Sequence, residues 1–158
     1  MQPPQPIVTE LTKPYWQAVA QGELALQYCE PCSHWIHFPE PRCPKCGNRK
    51  LEFKSVSGNG AIESFSVIHR SFVEGFGPGP YVIAWVSLPE QVGLRVMCNI
   101  INSDVDVIEI NANVSLCFEQ RGDFGQLPQF TLSSMTLSSK TLYSKIRSPH
   151  HLTESDTD

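Results

Sequence analysis

Two cysteine pairs, Cys29-Glu30-Pro31-Cys32 and Cys43-Pro44-Lys45-Cys46, stand ten residues apart and dominate what this chain can become. A disulfide scaffold spreads its cysteines through the sequence, whereas here four of the six fall within eighteen residues. Two C-x-x-C pairs at this separation describe a metal site, and four soft thiolates with tetrahedral reach select zinc or iron. All four ligands come from protein, so the closed site has no position for water or substrate and performs no Lewis-acid chemistry. The expected cofactor is therefore a structural Zn2+ held by Cys29, Cys32, Cys43 and Cys46. The rival is rubredoxin-like electron transfer by iron in the same ligands. Gly47 follows the second pair, where a knuckle must turn its backbone toward sulfur, but Ser33 follows the first. That difference, and a long β-rich segment an electron carrier would not need, weigh against iron.

The ribbon occupies residues 23–50. Leu24, Leu26 and Tyr28 alternate as in a strand, Trp35 to Phe38 return antiparallel, and Pro39 and Pro41 end that strand. So small a unit buries too little surface to fold unaided, so metal binding contributes its folding free energy. Ahead of it, residues 1–22 form a Pro- and Gln-rich extension and a short helix. Thr12 is the expected N-cap, Pro14 sits in the first turn, and Gly22 stops the helix. Its stripe of Tyr15, Trp16, Val19 and Ala20 is expected to pack on the rest of the protein, with partner docking as the alternative.

Residues 51–130 read as all-β. Strands are expected at Leu51–Val56, at 61–70 with imperfect alternation, at 81–88 with both faces apolar, at 92–100 and at 113–119. In the fourth, Val92, Leu94, Val96, Cys98 and Ile100 share the core face. Gly58-Asn59-Gly60 reads as a tight turn between the first two. Five antiparallel strands without a long helix suit a small OB-type barrel, with a sandwich fragment as competitor. The fold class is thus mainly β: a short helix, a rubredoxin-like zinc ribbon and a five-stranded OB-type barrel. Residues 131–158 are Ser- and Thr-rich and are expected to form a flexible tail, in which His150 and His151 are an accidental surface pair.

Composition bounds the function. With 41% hydrophobic residues the chain is neither collagen, coiled coil nor mostly disordered. The best apolar run, Tyr81 to Leu88, is far short of the roughly 20 residues that span a bilayer. The start MQPPQPIVTE lacks a basic and an apolar region, so a cytoplasmic location is expected. A net charge of −4 argues against bulk electrostatic binding of nucleic acid. Arg42, Lys45, Arg49, Lys50 and Lys54 do place five of twelve basic residues within thirteen positions. The barrel segment, however, carries only Arg70, Arg95 and Arg121 against eight acids, and a strand-tracking groove wants a continuous positive lane. The cluster suits a small polyanion such as cofactor phosphates, and a solvated face explains it equally well. Single-stranded nucleic-acid binding, with Phe65, Phe72 and Phe76 as stacking faces, is the alternative function. No catalytic constellation stands out among His34, His37 and His69. Cys98 and Cys117 lie on strands and are expected to be buried, inert thiols.

The run Tyr15-Trp16, Gly22-Glu23-Leu24-Ala25-Leu26-Gln27-Tyr28-Cys29-x-x-Cys32, Phe38-Pro39, Arg42-Cys43-Pro44-x-Cys46-Gly47 forms one signature. It continues through Ser57-Gly58-x-Gly60, Ser64-Phe65-Ser66-Val67-Ile68-His69-Arg70 and Gly79-Pro80-Tyr81-Val82-Ile83-Ala84. Over residues 10–130 this resembles the rubredoxin-like zinc-ribbon plus OB-fold family known as domain of unknown function number thirty-five. The sequence departs from it at Ser33-His34, where a knuckle glycine is common, and at Ile110-Asn111-Ala112, where a glycine turn is usual. The resemblance implies a non-catalytic accessory subunit of thiolase-like enzymes (thiolases, acyltransferases or aldolases) acting on acyl-CoA, in a hetero-oligomer that supports the CoA channel. For contact with that partner or with acyl-CoA the residues themselves offer Trp16, Arg42 and the loop Gly75–Pro80, whose breakers, Pro78 and Pro80 among them, and exposed-looking Phe76 suit a docking hairpin; a plain connection between two strands explains the loop equally well.

Overall fold

A computed structural model describes residues 3–71 and 74–133, so Phe72 and the expected 131–158 tail from residue 134 onward lie outside the described residues, while Thr131 and Leu132 belong to the last strand. The chain begins with helix α1 (Lys13–Ala20). Thr12 holds the N-cap position, but its side chain makes no bond to the helix; it accepts the Thr9 N–H at 2.9 Å instead. The other end closes as expected on Gly22, whose φ of 79° is left-handed. There Glu23 N–H donates to the Ala18 carbonyl at 3.0 Å and Gly22 N–H to Val19 at 2.9 Å, a Schellman arrangement that satisfies the last carbonyls. Val19 is fully buried, Tyr15 packs against the main core, and Trp16 sets its edge on Phe124 at 5.1 Å. The stripe thus packs on the chain itself, although Ala20 faces solvent.

A three-stranded sheet follows, ordered β2-β1-β3, with β1 (Ala25–Cys29) between β2 (His34–Ile36) and β3 (Glu52–Ser55). A central strand is covered on both faces, and Leu24, Ala25, Leu26, Gln27 and Cys29 are all buried. Gln27 is the polar exception, and its amide is fully used. Its Oε1 accepts the Glu40 N–H at 2.7 Å and its Nε2 donates to the Glu40 carbonyl at 3.1 Å, which pins the chain between the returning strand and the second knuckle. The segment expected as the first barrel strand therefore belongs here: Ala25 pairs with Ser55, and Tyr28 with Glu52.

The remaining strands, β4 (Asn59–Ile68), β5 (Tyr81–Ser87), β6 (Arg95–Ile100), β7 (Asn113–Arg121) and β8 (Gly125–Leu132), close a barrel in the order β4-β5-β6-β8-β7. The fifth barrel strand is β8, which Pro128 and two glutamines disguise in the sequence. It pairs antiparallel with β7 along its whole length and meets β6 in parallel at Ile100 and Phe130. The uneven alternation of β4 has a physical cause, since its register with β5 slips between Ile62 and Ser64 and leaves Glu63 as a bulge. Val82, Ala84 and Val86 line the interior with Ile62, Val96, Ile100, Val114 and Phe130, while Ile83 and Trp85 are half-buried on the outer face of β5. Val92, placed on the core face from sequence, lies before β6 and is fully exposed.

Helix α1 and the ribbon sit on this barrel as one body. Leu24 and Leu26 belong to the barrel's core cluster, and Val56 N–H donates to the Leu24 carbonyl at 2.9 Å. Gln91 bridges across by accepting the Trp35 N–H at 2.9 Å and donating to the Trp35 carbonyl at 3.2 Å. The expected Gly58-Asn59-Gly60 turn is shorter in fact: Gly58 turns with φ of 75°, while Gly60 is already in β4. A Cβ on Gly60 would lie 2.4 Å from Val86 Cγ1 and 2.9 Å from the Ser87 carbonyl oxygen. Gly60→Ala should therefore cost about 2 kcal/mol in urea unfolding, as an overpacked core does. Gly77→Ala, which meets nothing within 4 Å, should leave the midpoint unchanged.

Candidate metal centre

The metal centre is built at the turn of the β1–β2 hairpin. Strand β1 delivers Cys29, and a single 3-10 turn, Glu30–Cys32, brings Cys32 alongside. Ser33 then turns the chain at φ of 50°, its N–H donating to the Glu30 carbonyl at 3.3 Å. The second knuckle turns at the matching position, Gly47 at φ of 74°, with its N–H donating one residue further back, to the Cys43 carbonyl at 2.8 Å. Both knuckles thus need a left-handed residue at the same place, and serine accepts it in the first. The left-handed Asn111, φ of 64°, likewise preserves the other turn where a glycine is usual.

The four sulfurs lie within 4.8 Å of one another, with Cys29 to Cys46 and Cys32 to Cys43 each at 3.5 Å. Tetrahedral zinc–sulfur bonds of ~2.3 Å demand sulfur–sulfur edges of ~3.8 Å, so the cluster fits the ion with little adjustment. Four thiolates and no water position make the site structural. Cys29 and Cys43 are buried against Ile36 and Leu51, while Cys46 is exposed. Burial raises the Cys43 thiol, but the backbone N–H groups of Cys46 and Lys45 aimed at its sulfur outweigh that and bring it down to about 7. Asn48 was not legible as a site residue. Its Nδ2 lies 3.7 Å from Cys29 Sγ and also donates to the Lys50 carbonyl at 2.8 Å, so the amide is held beneath the sulfur.

The structure disperses the other candidates. Arg42, Lys45, Arg49 and Lys50 are exposed around the second knuckle, but the Lys54 ammonium is taken by Glu30 and lies 4.1 Å from the Tyr28 ring centre. Pro78 and Pro80 are exposed, yet Phe76 is not a protruding aromatic. It is half-buried, stacked on Tyr81 at 5.1 Å with the Arg121 guanidinium 5.8 Å from its ring. Arg121 is itself buried and ion-paired to Glu119 at 2.9 Å, and Glu119 also accepts from Gln129 at 2.8 Å. Burial pushes the Cys98 thiol up to about 12 and raises Cys117 too, which makes both poor nucleophiles. His34 lies in β2, and His69 is exposed just beyond β4.

One feature near the ribbon had no sequence signal. A groove of about 370 Å3 runs between α1, the chain after β2 and the outer edge of β5, β6 and β8. Tyr15, Trp16, His37, Phe38, Met97 and Pro128 are among the residues along it, and none of its lining residues carries a formal charge. His37 Nδ1 is buried there without a hydrogen-bond partner, and burial lowers the imidazole to about 4.

The arrangement defines a class: a metal-clamped ribbon docked on an OB-type barrel. Residues 16–52 match the family model described as the ChsH2 rubredoxin-like zinc ribbon domain, and residues 54–119 the ChsH2 C-terminal OB-fold domain. The chain is 34% identical over 122 residues to a DUF35 domain-containing scaffold protein of Methanothermobacter thermautotrophicus, covering 76% of this chain and 90% of that one. It is 32% identical over 127 residues to a probable enoyl-CoA hydratase alpha subunit of Thermomonospora curvata, covering 80% of this chain but only 39% of that longer relative. Among solved structures, a chain of the Ltp2-ChsH2(DUF35) aldolase superposes with a TM-score of 0.74 at 30% identity, over 81% of this chain and 98% of that one. This chain belongs to the ChsH2-type DUF35 family.

Two outcomes follow from the site. Asn48→Ala should weaken zinc at least about tenfold in competition with a chromophoric chelator, leaving one equivalent bound at saturation. His37 is held neutral below the ~6.5 of a free imidazole, so its contribution is present above that value and lost as pH falls toward about 4. Between about pH 7.5 and about pH 5 the native chain should lose about 2 kcal/mol more stability than His37→Phe, read by urea unfolding of both zinc-loaded proteins.

Proposed function

We propose that this chain is a non-catalytic subunit of a thiolase-like complex acting on acyl-CoA, holding the enzyme's CoA channel in shape. The observation that carries the reading is the closed tetrathiolate centre: the chain's one metal-ligand cluster among the described residues is built to hold structure and has no position for a substrate. Relatives support it, one being a chain of an aldolase complex and another a subunit of a probable enoyl-CoA hydratase. The reactive groups then belong to the partner. Trp16, Arg42, Phe76, Pro78 and Pro80 remain the contacts proposed for that partner or for acyl-CoA. Arg42, Lys45, Arg49 and Lys50 are exposed cations around the second knuckle and are the groups proposed to meet phosphates.

Co-expression with a thiolase-like enzyme of the same source should yield a complex whose turnover of acyl-CoA needs both chains. Reversing two knuckle charges, Arg42→Glu with Lys45→Glu, should raise KM for the thioester about tenfold with kcat little changed. An enzyme equally active alone, which never retains this chain, would refute the reading. Salt-sensitive binding of a single-stranded oligonucleotide by the isolated chain would favour the nucleic-acid alternative instead.

A further inference from the structure

The groove beside α1 is a constructed concavity rather than a packing defect. At about 370 Å3 it exceeds the ~150 Å3 of a cavity that binds benzene and lies within the ~300–1,000 Å3 of small-molecule sites. Two of the large apolar residues that the fold leaves exposed stand on its rim, Phe38 at 60% and Met97 at 56%. Its polar content is sparse and convergent. Asn99 and Gln129 are committed, with Asn99 Nδ2 donating to the Val82 carbonyl at 2.9 Å and Gln129 Oε1 accepting the Asn99 N–H at 2.7 Å. His37 Nδ1 is sealed from a water-sized probe, so it offers a groove ligand no contact.

We infer that this groove binds the uncharged hydrocarbon portion of a ligand and keeps any charged group outside it. Charge complementarity selects the class: with no formally charged lining residue, a carboxylate or phosphate would be desolvated without compensation. At neutral pH His37, Tyr15 and Cys98 are all in their neutral forms, which keeps the wall uncharged. Hydrocarbon of this kind comes from two sources, a free lipophile such as an alcohol or the acyl group of a thioester. Arg42 follows the lining residue Pro39 by three positions, so their Cα atoms lie within roughly 11 Å and the cationic knuckle borders the rim. The thioester source rests on the function proposed above; the site itself is a property of this chain alone.

The test uses the full, zinc-loaded chain without any partner and the uncharged fluorophore N-phenyl-1-naphthylamine. Saturable one-to-one binding is expected, displaced by 1-octanol at least about tenfold better than by octanoate. Displacement by octanoyl-CoA but not by CoA would identify the acyl source, and displacement by 1-octanol alone the free lipophile; either supports the site. Met97→Trp should plug the mouth and abolish binding at an unchanged melting temperature, with Thr12→Trp as a second plug from the helix side. Absence of saturable binding, equal displacement by octanoate, or a plugged variant that binds like the native chain would overturn the inference. So would a dimer in sedimentation that Met97→Trp dissociates, since a second copy would then fill the groove.

Discussion

Four sulfurs gathered within 4.8 Å are what the N-terminal third of this protein depends on. Unmetallated thiolates would repel one another, and the two knuckles bury little besides Ile36 and Leu51, so the ion supplies the cohesion that apolar area cannot. Once clamped, the hairpin becomes a stiff platform. Its central strand sends Leu24 and Leu26 into the barrel core, and Gln91 grips Trp35 from the far side. The clamped platform therefore reaches beyond its own knuckles into the barrel.

Much of this was legible in the sequence, because cysteine spacing and strand alternation are local signals. The ligands, the helix stop at Gly22 and the barrel class follow from residues that act on their neighbours. What escaped was set by distant partners. Strand β8 carries Pro128 and scattered glutamines, and only its register with β7 makes it a strand. Residues 52–55 look like any β segment, and nothing local says that they pair with β1 rather than with the barrel. Phe76 looked exposed because its loop is full of breakers, whereas Tyr81 and Arg121 draw it back. Asn48 gave no signal either, since an amide beneath a sulfur resembles any loop asparagine.

The same split separates the two surfaces that bear on function. The cationic knuckle is a run of residues close in sequence, and composition alone pointed to it. The groove draws on α1, the chain after β2, and strands β5, β6 and β8, so no window of sequence contains it. Its neutrality is a collective property of residues that never neighbour one another along the chain. A phosphate-friendly rim beside an uncharged hollow would give the proposed complex two chemically distinct holds on one amphiphilic molecule.

Strand β3 has an evolutionary consequence. The border between the two family models falls within it, at residues 52–54, yet its strand pairing runs backward to β1. Genes that shuffle this ribbon onto other barrels, or this barrel onto other ribbons, would strip the platform of an edge if they recombined at that border. A splice at Ser57-Gly58, one turn later, passes both pieces on intact.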